Sequence, residues 1–182
     1  MSSKIVIING PAGVGKTTIA RKLALLGENS ACIHGDDFKH HIVNRNLNTV
    51  ATGLGYKNGA TVANNFVNGG YDLVLFEYVF EDESHLPKFI HHLNVDCPVY
   101  LITLWANQEI VLDREANRAG RERLGTRVLE CYAAMEQALG KLGLVIDTSD
   151  RSPDEVVKDI WEKLEKDEGL IVSKPGTMKR LR

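Results

Sequence analysis

Gly10-Pro11-Ala12-Gly13-Val14-Gly15-Lys16-Thr17 fits the pattern G-x-x-x-x-G-K-[ST], a loop whose backbone cradles phosphate. Its surroundings suit that reading. The apolar run Ile5-Val6-Ile7-Ile8 precedes it, and from Lys16 onward Ile19, Leu23 and Leu26 recur on one face of a helix that Gly27 is placed to end. Glycines let successive N–H groups turn inward onto phosphate oxygens, and the helix N-terminus adds partial positive charge. Lys16 is expected to reach the β- and γ-phosphates and the Thr17 hydroxyl to hold Mg²⁺. Gly10, Ala12, Gly13, Val14, Gly15, Lys16, Thr17 and Thr18 are therefore the expected nucleotide-binding set at this end of the chain.

Working outward, apolar runs that read as buried strands lie at residues 4–9, 31–34, 71–79, 99–105 and 144–147, with helical patterns between them. Near-continuous apolarity without strict alternation is what a parallel sheet covered on both faces needs. Strands alternating with helices give an α/β fold. A last helix opens sharply, with Ser152 as N-cap, Pro153 at the first helical position and Glu155 closing a capping box ahead of Val157, Ile160, Trp161 and Leu164. Residues 44–70 are rich in Asn and Gly with a weak helical pattern around Val62, Phe66 and Val67, and residues 168–182 lack periodicity. The expected organisation is one domain over residues 1–167 and a C-terminal tail over 168–182.

Composition narrows the function classes. The 182 residues are 43% hydrophobic and 25% charged, as in an ordinary globular domain. A formal net charge of -2 supplies no global field for gathering nucleic acid or anionic lipid. The three cysteines, Cys32, Cys97 and Cys131, form no CxxC pair, which argues against a disulfide framework or zinc knuckle and for a reducing cytoplasm. No signal peptide and no apolar run of membrane-spanning length is visible. His40-His41 and His91-His92 are adjacent pairs, which on a helix do not present two ligands to one metal. The aromatics Tyr71, Phe76, Tyr78, Phe80, Trp105 and Trp161 read as core packing. Oligomeric state is not legible.

A phosphate loop serves GTPases, motors and kinases alike, so the rest of the site must decide. The chain contains neither N-K-x-D nor D-x-x-G, the guanine and switch motifs of a GTPase. After the second strand comes His34-Gly35-Asp36-Asp37-Phe38, with two carboxylates at the strand end where open α/β sheets bind ligands. Either aspartate is a candidate to accept a hydroxyl proton as that hydroxyl attacks phosphorus; the competing role is capping the helix that follows. The segment from Arg114 to Arg127 carries five arginines, Arg114, Arg118, Arg121, Arg123 and Arg127, and reads as a mobile cationic lid. Arg114, Arg118 and Arg127 are the candidates for phosphate or adenine contact, with Arg118 and Arg127 acting on the transferring phosphoryl group. Arg121 and Arg123 flank Glu122 and read as a solvated face.

GPAGVGKTT, HGDDF, the strand Tyr71-Asp72-Leu73-Val74-Leu75-Phe76-Glu77, Leu104-Trp105-Ala106-Asn107 leading into the arginine segment, and Asp147-Thr148-Ser149 together resemble the small P-loop kinases that include gluconate kinase, shikimate kinase and chloramphenicol phosphotransferase. The likeness runs from Ile5 to about Leu164. It implies a three-layer P-loop fold of the nucleotide and shikimate kinase type, with a parallel sheet in 2-3-1-4-5 order, a helical arginine-rich lid at about 114–127 and a substrate segment at about 38–70. It also implies ATP and Mg²⁺ as cofactors, with Thr17, Asp36 and Glu77 about the metal, the loop after Ser149 near adenine, and Asp36 as base, a one-residue shift making it Asp37. Residues 44–70 carry only Arg45 and Lys57 as cations, so a phosphorylated or shikimate-like acceptor is not supported. The expected activity is γ-phosphoryl transfer to a hydroxyl of a sugar acid, antibiotic or similar alcohol. The alternatives are a nucleotide, nucleoside or nucleic-acid-end kinase, and a nucleotide-binding regulator without catalysis.

Overall fold

The computed structural model describes residues 3–44, 53–117 and 125–173. Strands β1 (Lys4–Asn9), β2 (Ser30–His34), β3 (Leu73–Glu77), β4 (Val99–Trp105) and β5 (Leu144–Asp147) form a parallel sheet in the order β2-β3-β1-β4-β5. The helices are α1 (Lys16–Ala24), α2 (Asp37–His40), α3 (Leu54–Asn68), α4 (Leu86–Ile90), α5 (Gln108–Ala116), α6 (Thr126–Ala138) and α7 (Pro153–Leu164).

Alternation in β1 explains why its apolar run is unbroken. Val6 and Ile8 face a core shared with Ile19 and Leu23 of α1, Val128 and Tyr132 of α6 and Ile160 of α7. Ile5 and Ile7 face the opposite core, with Ala60 and Ala63 of α3 and Phe89 of α4. Each strand side is thus covered, and every β1 residue from Ile5 to Ile8 is fully buried. The α7 capping box forms as the sequence predicts: Ser152 Oγ accepts from the Glu155 N–H at 3.3 Å, and Glu155 Oε2 accepts from the Ser152 N–H at 2.8 Å.

Four sequence expectations need correction. The third strand is Leu73–Glu77 rather than 71–79: Tyr71 turns aside to meet Phe66 edge-on, and Phe80 is drawn to buried Asn9, whose side chain donates to the Phe80 carbonyl and accepts from the Phe80 N–H. Helix α1 ends at Ala24, with Leu26 about half exposed and no left-handed turn at Gly27. The weak pattern of residues 44–70 hides a 15-residue helix, α3, because its buried face is built from Gly59, Ala60, Ala63 and Asn64, residues too small or polar to register as an apolar stripe. Finally, the tail begins with a strand. Asp167 and Gly169 take positive φ values of 58 and 81, reversing the chain so that β6 (Leu170–Val172) pairs antiparallel with β4. Lys174 and the rest of the basic tail lie outside the described residues, as do Arg45, Arg118, Arg121 and Arg123. Among the described residues no helix is long and apolar enough to cross a membrane.

Candidate active site

The C-terminal ends of β1, β2 and β3 open into one cavity of about 820 Å³. Its wall includes every residue from Ala12 to Thr18, then Asp36, Tyr56, Glu77, Tyr78, Glu81, Lys88, Arg114, Arg127 and Thr148. Gly10 stands just outside that wall, at the point where the chain leaves β1.

The loop shape depends on missing side chains. Gly10 has φ 141 and Gly13 φ 83, values an L side chain rarely adopts. A Cβ on Gly10 would lie 2.6 Å from the Leu104 carbonyl oxygen, and one on Gly13 would lie 2.5 Å from that of Val111. The loop is therefore pressed against the end of β4 and against α5. Lys16 arches back over it, its ammonium donating to the carbonyls of Gly10 at 2.8 Å and Pro11 at 3.0 Å. Thr18 is exposed on the cavity side while Val14 is buried beneath the loop.

Beneath Lys16, Thr17 Oγ1 donates to Glu77 Oε1 at 3.0 Å, and His34 Nδ1 lies 3.1 Å from the same oxygen. Burial pushes the Glu77 carboxyl up, but the His34 hydrogen bond, the Lys16 charge and the Thr17 hydroxyl outweigh it and hold the group below the usual range. It is ionised. The Lys16–Glu77 relation is thus one of charge, while the hydrogen bonds go to Thr17 and His34. The donor set suits Mg²⁺: a hydroxyl whose O–H points at a carboxylate keeps its oxygen lone pairs, and the cation commonly takes few protein ligands and fills its shell with water and phosphate. Among the described residues no group of three or more His, Cys, Asp or Glu side chains converges on a metal position.

The two aspartates after β2 stand apart. Asp36 is half-buried, lines the cavity and accepts from Lys39 Nζ at 2.5 Å. Asp37 opens α2 on the exposed side. Although Asp36 occupies the N-cap position, its side chain makes no capping bond.

The arginine segment meets the cavity from two helices. Near the C-terminus of α5, Arg114 donates to Thr148 Oγ1 at 3.2 Å and to the carbonyls of Thr148 and Ser149 at 3.0 and 3.4 Å. These bonds fix it against the loop after β5. That loop is itself stiffened by Asp147, which accepts from the Ser149 N–H at 2.8 Å and hydroxyl at 2.7 Å. Arg127, at the start of α6, is ion-paired to Glu81 and so spans from α6 to the chain after β3. Arg118 falls between these helices, outside the described residues.

Several wall residues escape a reading of the sequence. Tyr78 packs against the core as expected, but it also follows Glu77 off the end of β3 into the cavity wall, its ring 5.0 Å from that of Tyr56. A Cβ on Gly35 would lie 2.2 Å from the Tyr78 ring, and one on Gly55 2.7 Å from its hydroxyl, so two glycines make room for this side chain. Lys39 and Lys88 supply cations to the cavity from α2 and α4, where residues 44–70 offered few. The only usable signal for Tyr78 was its place at a strand's C-terminal end, the same signal that marks Asp36.

Comparison with known proteins gives this geometry its context. No curated protein matches the chain by sequence. Among solved structures, the tunicamycin resistance protein of Deinococcus radiodurans superposes with a TM-score of 0.65 at 16% identity, covering 92% of this chain and 98% of that one. An unliganded sugar kinase from Janibacter sp. HTCC2649 gives 0.62 at 14%, covering 90% and 95%. Shikimate kinase from Acinetobacter baumannii, solved with shikimate, gives 0.58 at 18%, covering 91% and 95%. At these identities the likeness is one of fold, a three-layer α/β P-loop architecture. The sequence model of the chloramphenicol phosphotransferase-like proteins matches residues 3–165, from the start of β1 to the end of α7. Phosphate loop, sheet order and this match agree: the chain belongs to the chloramphenicol phosphotransferase-like family of P-loop phosphotransferases.

Proposed function

We propose that this protein transfers the γ-phosphoryl group of ATP to a hydroxyl of a small alcohol, with Asp36 as the base. The observation that carries the reading is that one cavity holds both the phosphate loop and the Asp36 carboxylate, while Asp37 lies outside it. In this reading Lys16 turns from the loop carbonyls to the β- and γ-phosphates, and Arg114 lies beside the nucleotide. Thr17, with Glu77 and Asp36 in the same cavity wall, would hold Mg²⁺, which would neutralise phosphate charge. Asp36 accepts the proton of the attacking hydroxyl, its carboxylate held by the Lys39 ammonium at 2.5 Å. Arg127, with Arg118, neutralises charge building on the transferring group.

The acceptor occupies the far end, against Tyr56 and Tyr78. Two tyrosine rings in the wall suit an acceptor with an apolar ring, which favours a cyclic or aromatic alcohol over a small linear one. Sugars, sugar acids, aminoglycosides, chloramphenicol and nucleosides should be screened for ADP release under ATP and Mg²⁺. The expected result is turnover well above background with one ring-bearing class. Background turnover with every alcohol, in a protein that binds ATP, would overturn the transferase assignment and leave a nucleotide-binding regulator.

A further inference from the structure

Thr17 is one end of a hydrogen-bonded chain that leads away from the phosphate loop. Its hydroxyl donates to Glu77 Oε1 at 3.0 Å, His34 Nδ1 meets the same oxygen at 3.1 Å, and behind the imidazole Arg21 Nε donates to His34 Nε2 at 3.1 Å. An arginine Nε has only a proton to offer. Nε2 is therefore the accepting nitrogen and Nδ1 carries the ring N–H, which points at Glu77.

The backbone builds this contact. His34 and Glu77 are register partners on neighbouring parallel strands, each the last residue of its strand. Their side chains are 12% and 6% exposed, so water does not compete freely for Glu77 Oε1. With both donors present, that oxygen is held from two directions. With the Thr17 hydroxyl alone, the carboxylate rotates more freely, and the hydroxyl proton has no fixed acceptor to draw it away from the cavity.

We infer that His34 is a positioning residue for the magnesium–nucleotide site: its N–H fixes Glu77, Glu77 accepts the Thr17 hydrogen bond, and Thr17 keeps its lone pairs for the cation. Arg21, on the exposed side of α1, sets the tautomer. This inference rests on the proposed binding of a magnesium–nucleotide complex in the cavity and adds a function to two residues outside the phosphate loop. It concerns orientation, so its signature is how far Mg²⁺ tightens nucleotide binding.

Calorimetry of ADP binding in Mg²⁺ and in EDTA reads this without turnover. His34→Phe keeps a ring but no N–H, and should lose about tenfold or more of the Mg²⁺-dependent tightening, as when the supporting partner of a metal site is removed. Its affinity in EDTA should stay at the wild-type value. His34→Asn places an amide N–H near the Nδ1 position and should recover most of the loss. Tightening that survives in His34→Phe, or falls as far in His34→Asn as in His34→Phe, overturns the inference. Should His34→Phe fail to fold, Arg21→Met tests the outer link; a smaller loss of tightening supports the chain, and no loss overturns it. A wild-type protein that binds ADP equally with and without Mg²⁺ removes the magnesium reading and this inference with it. One that binds no ADP in either buffer removes the nucleotide-site reading itself.

Discussion

At the phosphate end of the cavity the wall is one continuous run of chain, residues 12–18, shaped by glycine backbone and by a single lysine folded over it. At the other end the wall is gathered from α2, α3, α4, α6 and the chain after β3, which contribute Lys39, Tyr56, Lys88, Arg127, Tyr78 and Glu81. In the proposed reading the first end would recognise through backbone N–H groups and a helix terminus, which any triphosphate satisfies. The second would recognise through side chains gathered from several elements. If the first end holds the nucleotide and the second the acceptor, as proposed, damage at the first should stop the reaction for every acceptor, whereas damage at the second should reorder acceptors.

The largest expected effect tests the first half of that comparison. Lys16→Ala removes a point charge that no neighbouring donor replaces and should reduce turnover to background with all acceptors, while circular dichroism and melting remain those of a folded protein. A folded variant with near wild-type turnover breaks the assignment of this end. Next in size is Asp36→Asn, where a positioned base is lost: kcat should fall by roughly 10²–10⁴-fold with ADP affinity kept. Asp37→Asn should be nearly silent because Asp37 is not part of the cavity wall. The reverse pattern moves the base by one residue.

Gly35→Ala sharpens the boundary between the two ends. Its Cβ would lie 2.2 Å from the Tyr78 ring, so the ring must shift, at a cost of about 1–3 kcal/mol. Thermal unfolding should register the loss, and acceptor KM should rise while ADP affinity holds. An equal loss of ADP affinity would mean the ends are mechanically one unit.

Glu77 lies beneath the phosphate end and gives a pH-dependent test. Its folded pKa lies below the ordinary value of 4.5. The ionised group therefore stabilises the fold above about pH 4.5, and that contribution is lost as pH falls through the lower folded value. In chelator, the melting-temperature gap between wild type and Glu77→Gln should be widest near neutral pH and close in acid. A gap that widens on acidification contradicts the hydrogen-bonded carboxylate.

The same contrast explains what was legible. The phosphate loop, α1 and the α7 capping box announce themselves because their chemistry is local: glycine conformations, one lysine, a Ser-Pro-x-Glu start. Strand positions were legible from apolar runs, and Asp36 and Glu77 from their place at strand ends. The small-residue face of α3 left no apolar period, and β6 was too short to show one. The acceptor wall was hidden for a different reason. Tyr78 lies beside Gly35 and Tyr56 only after β2, α3 and β3 have packed, and nothing in the spacing of residues 35, 56 and 78 encodes that meeting. The pairing of Arg127 with Glu81 is equally non-local.

Tyr56→Phe carries the smallest expected effect and asks whether a wall residue is a strut or a contact. The Tyr56 hydroxyl donates to the Val79 carbonyl at 2.7 Å, while its ring stacks on His85 at 5.5 Å and meets Phe80 at 4.9 Å. Phenylalanine keeps the ring and all of its packing, so the wall retains its shape. What goes is one half-buried hydrogen bond, worth about 1 kcal/mol, with the Val79 carbonyl left lacking that donor. Because the hydroxyl is committed to the backbone, its loss should lower the melting temperature slightly and leave kcat, ADP affinity and acceptor KM close to wild type. Tyr56→Ala, which removes the face itself, should raise acceptor KM without touching ADP affinity. A large rise in acceptor KM from Tyr56→Phe, with the melting temperature unchanged, would reverse the assignment: the hydroxyl would then be a direct acceptor contact, and the acceptor end of the cavity would select by hydrogen bonding as well as by an aromatic face.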